Sequence, residues 1–521
     1  MEQGRPFMSQ IANRLASALR PARRYWRAVL LAGVVTAFAA GPVHSRDAPE
    51  IDAYPALSDL RFGLSVTDLE GNVLEAHRAD ERFMPASNNK LFVTAAALAA
   101  ETDLSALAPG TQLVLQSTSS GPPNLALIGR GDPTLRFGPE CTERCLETLA
   151  AVVAEAGITE VGDLTGDARW FADERRPLGW SWDDLKFRHG TAISALAVND
   201  NLVPLRITPA REAGASVGAA WIDPGPAYFD LHNQVETSDP EGISALRLER
   251  RMGNRKARLY GQLVAGARSF TLDLAVDDPA HLAVWHFKQA LEAEGVTVSG
   301  ALKTQHRPLQ YVDEPISTDP DDPEAPRQCA QQIDSVPETP VLTALDPAPL
   351  QDIVTEINRD SHNMYAEVLL RQLGRAAGTG STFCGVLQIE TFLDEVGVDR
   401  ASYDIADGSG LSNYNRATPA TMTALLRYAA AAPWGDAYKA SLPVGGAQDG
   451  TLKYRFRGTA LDGKVFAKTG TLNHVDALSG YMQARSGKTL VFSIIINDRP
   501  LSSPSAMPAI QATLLEIAER Y

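Results

Sequence analysis

The sequence predicts an α+β fold in which an antiparallel sheet with helices is interrupted by a long β-rich insertion. Three observations point there. A strand-turn-strand pattern near the start leads directly into a helix. Residues 111 to 341 break into short strand-like runs. The chain then returns to helical periodicity and ends in three strands and a helix.

The first segment is read separately from the fold. Arg14, Arg20, Arg23, Arg24 and Arg27 precede the apolar stretch Ala28–Ala40, whose end contains the small-x-small triplet Ala37-Phe38-Ala39. A basic flank, a short apolar run and a cleavage pattern predict an export signal, with an uncleaved anchor or a buried first helix as the other readings. The run is too short for a comfortable membrane span. Arg23-Arg24 is followed by Tyr25-Trp26 and not by a full twin-arginine consensus, which leaves the export route open.

Leu60 to Thr67 alternates like a strand, Asp68-Leu69-Glu70-Gly71-Asn72 supplies turn chemistry, and Val73 to His77 reads as the returning strand. Pro85 then marks a helix start, the helix runs through an alanine-rich stretch to about Glu101, and Ala108-Pro109-Gly110 breaks it. Within the insertion, Leu113–Ser117, Leu125–Ile128, Gly162–Ala168, Val203–Thr208, Ala257–Gln262 and Ser269–Ala275 read as strands. Arg130-Gly131-Asp132-Pro133 is turn chemistry, not an adhesive triplet. Pro279–Glu294 is an amphipathic helix with Asp278 as N-cap and Gly295 as its stop. The acidic, proline-rich Asp313–Pro340 reads as a solvated linker or long loop.

Helical periodicity returns over Pro349–Gly374, interrupted at Asp360-Ser361-His362-Asn363, and continues in Gly385–Val396 and Ala417–Ala430. Lys464–Leu472, Val475–Gln483 and Leu490–Asn497 read as strands, and Pro504–Tyr521 as a closing amphipathic helix.

At 521 residues the chain has room for two to four domains and a sizeable core. Its net charge of -15 argues against a nucleic-acid or anionic-membrane partner, because phosphate binding needs a basic surface. The cysteines are Cys141, Cys145, Cys329 and Cys384, an even set that permits disulfides in an exported chain. Cys141 and Cys145 can pair locally across a helical turn, leaving Cys329 with Cys384, although all three connectivities stay open. Zinc spacing is lacking, so no metal is expected.

The chemistry starts at Ser87 and Lys90. Residues three apart share a helix face, so the Lys90 amine can lie against the Ser87 hydroxyl. A serine at a helix start also sits among unpaired N–H groups and the positive end of the helix dipole, which disfavours an ammonium and favours an oxyanion. Such a Ser-x-x-Lys arises by chance roughly once in a chain of this length, so its meaning depends on partners. Ser361 and Asn363 are two apart and can serve one site only if the backbone turns between two helices there; the spacing alone favours a polar surface turn. Ser409, in Asp407-Gly408-Ser409-Gly410-Leu411-Ser412, lacks a nucleophile elbow and reads as a structural turn. Lys468-Thr469-Gly470-Thr471 lies on a strand, with Lys468 and Gly470 on one face and Thr469 and Thr471 on the other. Gly470 would let another backbone approach closely. The other Lys-Thr pairs, Lys303-Thr304 and Lys488-Thr489, lack the glycine.

Ser87-x-x-Lys90, Ser361-x-Asn363 and Lys468-Thr469-Gly470, in that order, resemble the signature of serine penicillin-recognising enzymes. Longer stretches narrow the resemblance: Ser361 to Glu367, Asp407 to Ser412, Gly450 to Arg455, Gly463 to Leu472, Gly131 to Leu135 and Gly179 to Trp182. They are similar to class C low-molecular-mass penicillin-binding proteins, the penicillin-binding protein 4-like D-alanyl-D-alanine carboxypeptidases and endopeptidases. The resemblance runs from about Ala56 to the end.

The resemblance implies a serine β-lactamase/DD-peptidase-like catalytic domain in two parts, 47–108 and 343–521, after a 1–46 signal and leader. Between them lies an inserted region, 109–342, with a nested domain near 200–275. It implies Ser87 as nucleophile, Lys90 as its base, and Ser361 and Asn363 as further catalytic residues. Lys468, Thr469, Gly470 and Thr471 would bind substrate, and the backbone N–H groups of Ser87 and Thr471 would hold the oxyanion. The implied partners are peptidoglycan stem peptides and β-lactams, with no cofactor, no membrane span in the mature chain and a periplasmic location. The competing readings are a serine β-lactamase and a non-catalytic peptidoglycan-binding scaffold. Oligomeric state is not addressed by any motif.

Overall fold

A computed structural model describes residues 54–101, 104, 110–223, 225–313, 329 and 340–521. The expected export segment, the helix breaker at Ala108-Pro109 and most of the 313–340 linker lie outside the described residues.

The first and last parts of the chain build one unit. Its elements are β1 (Arg61–Asp68), β2 (Val73–His77) and α1 (Lys90–Ala99), then α2 (Leu350–Arg359), α3 (Asn363–Ala377), α4 (Thr382–Val396), α5 (Pro419–Ala431) and α6 (Gly435–Ser441). They close with β3 (Val465–Leu472), β4 (Val475–Gln483), β5 (Thr489–Asn497) and α7 (Met507–Arg520). The five strands form an antiparallel sheet in the order β3-β4-β5-β1-β2. β1 pairs with β5 without a slip, from Arg61↔Asn497 to Asp68↔Leu490.

Both faces of this sheet are covered, which is why β4 and β5 are buried almost throughout and do not alternate between buried and exposed positions. The two-residue period still sorts their side chains. Phe492, Ile494 and Ile496 pack with Ile510, Leu514 and Ile517 of α7. Val491 and Ile495 belong to the other core, with Phe92 of α1 and Met422 of α5. α1 is buried everywhere except Ala99, as suits a helix enclosed by α2, α3, α4 and α6.

The middle of the chain is organised on a five-stranded mixed sheet, in the order Leu302–Arg307, Leu164–Ala172, Asn124–Ile128, Gln112–Gln116, Val341–Ala344. Gln112–Gln116 and Val341–Ala344 are antiparallel neighbours, so the chain enters and leaves this region at adjoining strands. Leu202–Thr208, Gly218–Trp221 and Phe270–Ala275 form one three-stranded sheet, and Asp230–Ser238, Ala245–Arg250 and Lys256–Val264 another. The helix Pro279–Ala293 starts as expected, with the Asp278 carboxylate accepting from the His281 N–H at 3.1 Å.

Several elements differ from expectation. The helix Leu146–Glu155 interrupts a region that reads as strands and loops. The strand Asp230–Ser238 was missed because it buries only Val235 and Thr237, so it carries no alternation. The cysteines pair as Cys141–Cys145 and Cys329–Cys384. The first pair closes a turn and not a helical turn: Arg144 has φ 52° and Cys145 is the extended residue before the 146–155 helix. No helix among the described residues is long and apolar enough to cross a membrane.

Candidate active site

Ser87 stands on a single 3-10 turn, Ala86–Asn89, that runs into α1, and not inside the α-helix itself. Two glycines make room for this turn. A Cβ on Gly470 of β3 would lie 2.6 Å from the Pro85 carbonyl oxygen, and one on Gly410 would lie 1.9 Å from that of Ala86. The close approach expected at Gly470 is therefore made by the Ser87 turn. Ala86 itself has φ 48°, a costly conformation for alanine, held by packing on both sides. Below it, the Asn497 side chain of β5 accepts from the Met84 N–H at 2.8 Å, and the Asn88 side chain donates to Ser479 Oγ of β4 at 2.7 Å.

Lys90 is fully buried, and its Nζ lies 2.9 Å from Ser87 Oγ, 2.6 Å from Asn363 Oδ1 and 2.5 Å from the Ser409 carbonyl oxygen. Burial pulls its pKa down to about 7, against the opposing charges of Asp407 and Glu367. Glu367 is buried on α3, where its carboxylate accepts from the Gly408 and Ser409 N–H groups at 3.0 and 2.8 Å and from Arg371 at 3.1 Å. Burial, with the nearby charge of Asp407, raises the Glu367 pKa to about 7 while Arg371 opposes. Asp407 ties the same loop together, accepting from the N–H groups of Gly410 and Ser412 and from the side chains of Asn415 and Trp180 at 2.7–2.8 Å.

Ser361 and Asn363 do belong to one site, because the backbone turns between two helices there. α2 ends at Arg359 with Asp360 as its C-cap, Ser361 has φ 61°, His362 caps the next helix through Nδ1, and Asn363 opens α3. The polar surface turn favoured by spacing alone is thus replaced by a bend into the site. Asn363 Nδ2 donates to the His189 carbonyl at 2.8 Å, which leaves Oδ1 aimed at Lys90. Lys468, also fully buried, donates to Ser361 Oγ at 2.7 Å and to the Thr469 carbonyl at 2.9 Å. Burial holds its pKa well below the ordinary lysine range, the Lys90 charge adds to this, and Asp360 opposes.

Ser87, Ser361, Asn363 and Thr471 wall one open cleft of about 580 Å³. Lys90 and Lys468 lie behind that wall, and Thr469 bonds through its hydroxyl to Thr451 at 2.9 Å, outside the cleft lining. The cleft also presents Asp184 and His189 of the middle region, paired at 2.9 Å, and Arg499, which sequence reasoning did not single out. No spacing rule links those positions to the motifs. Ser409 is a structural turn as expected, but its carbonyl is a direct partner of Lys90. A hydroxyl beside a buried amine that is half deprotonated near neutral pH can be activated as a nucleophile, and acyl transfer is the chemistry that combination serves.

The profile of the D-Ala-D-Ala carboxypeptidase 3 (S13) family matches residues 47–316 and 330–521. The chain is 35% identical over 497 residues to a D-alanyl-D-alanine carboxypeptidase of Actinomadura sp. (strain R39), covering 90% of this chain and 84% of that one. It is 25% identical over 382 residues to the D-alanyl-D-alanine carboxypeptidase DacB of Haemophilus influenzae, covering 72% of each. The fold is similar to the crystal structure of penicillin-binding protein 4 from Haemophilus influenzae, with a TM-score of 0.72, 23% identity, and coverage of 89% of this chain and 98% of that one. The α+β reading and the resemblance to penicillin-binding protein 4-like enzymes are both borne out. The chain belongs to the D-Ala-D-Ala carboxypeptidase 3 (S13) family of serine DD-peptidases.

Proposed function

We propose that this serine DD-peptidase works through an acyl-enzyme on Ser87, and that the bonding of Lys90 carries the reading. A neutral amine has two N–H donors and one lone pair. With Asn363 Oδ1 and the Ser409 carbonyl taking the donors, the lone pair is left for the Ser87 hydroxyl proton. Ser87 attacks the carbonyl of the penultimate D-alanine, and the backbone N–H groups of Ser87 and Thr471 receive the oxyanion. Ser361, backed by Lys468, returns a proton to the leaving amine. Asn363 orients the substrate amide as well as Lys90. Lys468, from behind the cleft wall, attracts the terminal carboxylate, with Thr469, Gly470 and Thr471 forming that strand edge, and water then releases the acyl group.

The same steps applied to a β-lactam leave Ser87 acylated. Trimming of D-alanyl-D-alanine termini and cutting of D-alanyl-diaminopimelate cross-links both fit this chemistry. The proposed location is the periplasm, reached through the 1–46 leader, which is supported by its arginine-flanked apolar run. The proposed organisation is a catalytic domain from 47–108 and 343–521, around an inserted region at 109–342 with a nested part near 200–275.

Ser87→Ala is expected to lower release of D-alanine from a D-alanyl-D-alanine pentapeptide by at least about a thousandfold, and to abolish covalent labelling by penicillin. Undiminished labelling of that variant would refute the assignment. Incubation with cross-linked muropeptides, read by product analysis, measures the endopeptidase share.

A further inference from the structure

We infer that Asp200, which lies in the middle region of the chain, is a positioning residue that sets the bend carrying Ser361 and Asn363. This rests on the reading above, in which those side chains serve Ser87 and Lys90.

The backbone comes first. Asn199, Asp200 and Asn201 have φ values of 47°, 57° and 58°, a consecutive left-handed run without glycine. Asparagine and aspartate tolerate that region better than other residues, yet such strain persists only where the surroundings enforce it. The flanking side chains supply the enforcement. Asn199 Oδ1 accepts from the Phe137 N–H at 2.9 Å and its Nδ2 donates to the Phe137 carbonyl at 3.0 Å. Asn201 Nδ2 donates to the Ala192 carbonyl at 2.9 Å and its Oδ1 accepts from the Val198 N–H at 3.2 Å. Both asparagines bind their own region, and only Asp200 is turned outward, toward α3.

Asp200 meets the site from two sides. Its Oδ2 stands 3.5 Å from Nε2 of His362, a side chain only 4% exposed that sits between Ser361 and Asn363. The same oxygen accepts from Arg188 at 3.4 Å, and Arg188 adjoins His189, whose carbonyl fixes the Asn363 amide. Oδ1 lies 2.9 Å from Arg136, which donates to the Tyr365 hydroxyl on α3 at 2.8 Å. The Tyr365 ring packs 4.3 Å from that of His362. One carboxylate therefore clamps the start of α3 to the segment that orients the Asn363 side chain. Burial works to raise the Asp200 pKa, but His362, Arg136 and Arg188 outweigh it and hold the carboxyl at about 2, so the clamp stays charged at working pH. Losing it frees Asn363 Oδ1 to move relative to Lys90, and small misplacements of a reacting geometry are costly in rate.

The test uses the mature enzyme with Asp200→Asn, which keeps the size and the left-handed tolerance but removes the charge. His362→Asn is the second variant; it keeps a cap acceptor and removes the Nε2 contact. Each is expected to lower the penicillin acylation rate per labelled site, and kcat on the pentapeptide, about tenfold, with KM within about twofold. The double variant is expected to be slowed by less than the product of the two single effects, because the two share the Asp200–His362 contact. A wild-type rate per labelled site in both variants, including the case of fewer labelled sites at an unchanged rate, overturns the assignment. Labelling that survives Ser87→Ala overturns the catalytic reading and this inference together, whereas its loss alongside wild-type rates in Asp200→Asn overturns this inference alone.

Discussion

Lys90 carries the pH behaviour of the site, because the protonation state of one buried amine decides whether Ser87 has a base. With its pKa near 7, the acylation rate is expected to rise with pH through that value and level off above it, as the ammonium loses its proton. The buried Glu367 and Asp407 carboxylates favour the ammonium, so removing one of their charges must ease deprotonation. Glu367→Gln keeps an acceptor for the Gly408 and Ser409 N–H groups and is expected to move the midpoint of the acylation profile to lower pH. Stopped-flow acylation by a labelled penicillin from pH 5 to 9 measures it, and a midpoint that moves up would contradict the electrostatic account. The Ser87–Lys90 contact was legible from a three-residue spacing alone. Glu367 and Asp407 were visible only as members of longer stretches, since a sequence does not distinguish a buried carboxylate from a solvated one. Asp184 and His189 were not legible at all, because their place in the cleft depends on how a separate region folds back.

Among the elements, the Ser87 turn is squeezed from two sides, between β3 and the 407–412 loop. Gly410 has φ 82° and no room for a Cβ against the Ala86 carbonyl. Gly410→Ala is thus expected to cost at least about 2 kcal/mol, from a left-handed alanine plus a backbone clash, and to slow acylation as well, because the clash displaces the residue before Ser87. Urea unfolding and the acylation rate, measured together, check both. Loss of stability at an unchanged rate would mean that the turn relaxes without moving Ser87. Elements with a strong period were legible to within a few residues: β4 matches its expected range, and the 279–293 helix begins at its expected cap. The surface strands 230–238 and 245–250 were not, because most of their side chains face water and impose no pattern.

For the whole molecule, the ordering problem is that β1 must pair with β5, which lies beyond the entire middle region, across a sequence gap no local pattern can bridge. Periodicity predicted both halves of the sheet, and the order of the three motifs implied that they meet. What remains is how the long middle is tied down, and the cysteines bear on it. Cys329–Cys384 joins residues 55 apart and ties the end of the middle region to α4, while Cys141–Cys145 spans a separation of 4. In the chain-entropy picture these closures contribute about 4 and about 2 kcal/mol respectively. Cys329→Ser with Cys384→Ser is therefore expected to lower the thermal midpoint more than Cys141→Ser with Cys145→Ser. Neither pair bonds to Ser87, Lys90, Ser361 or Lys468, so the acylation rate per labelled site is expected to hold in both variants at 25 °C. Calorimetry beside penicillin titration tests the ranking. A larger loss from the short loop would show that the 141–145 turn stabilises the native 146–155 helix directly, through structure rather than through the entropy of the unfolded chain.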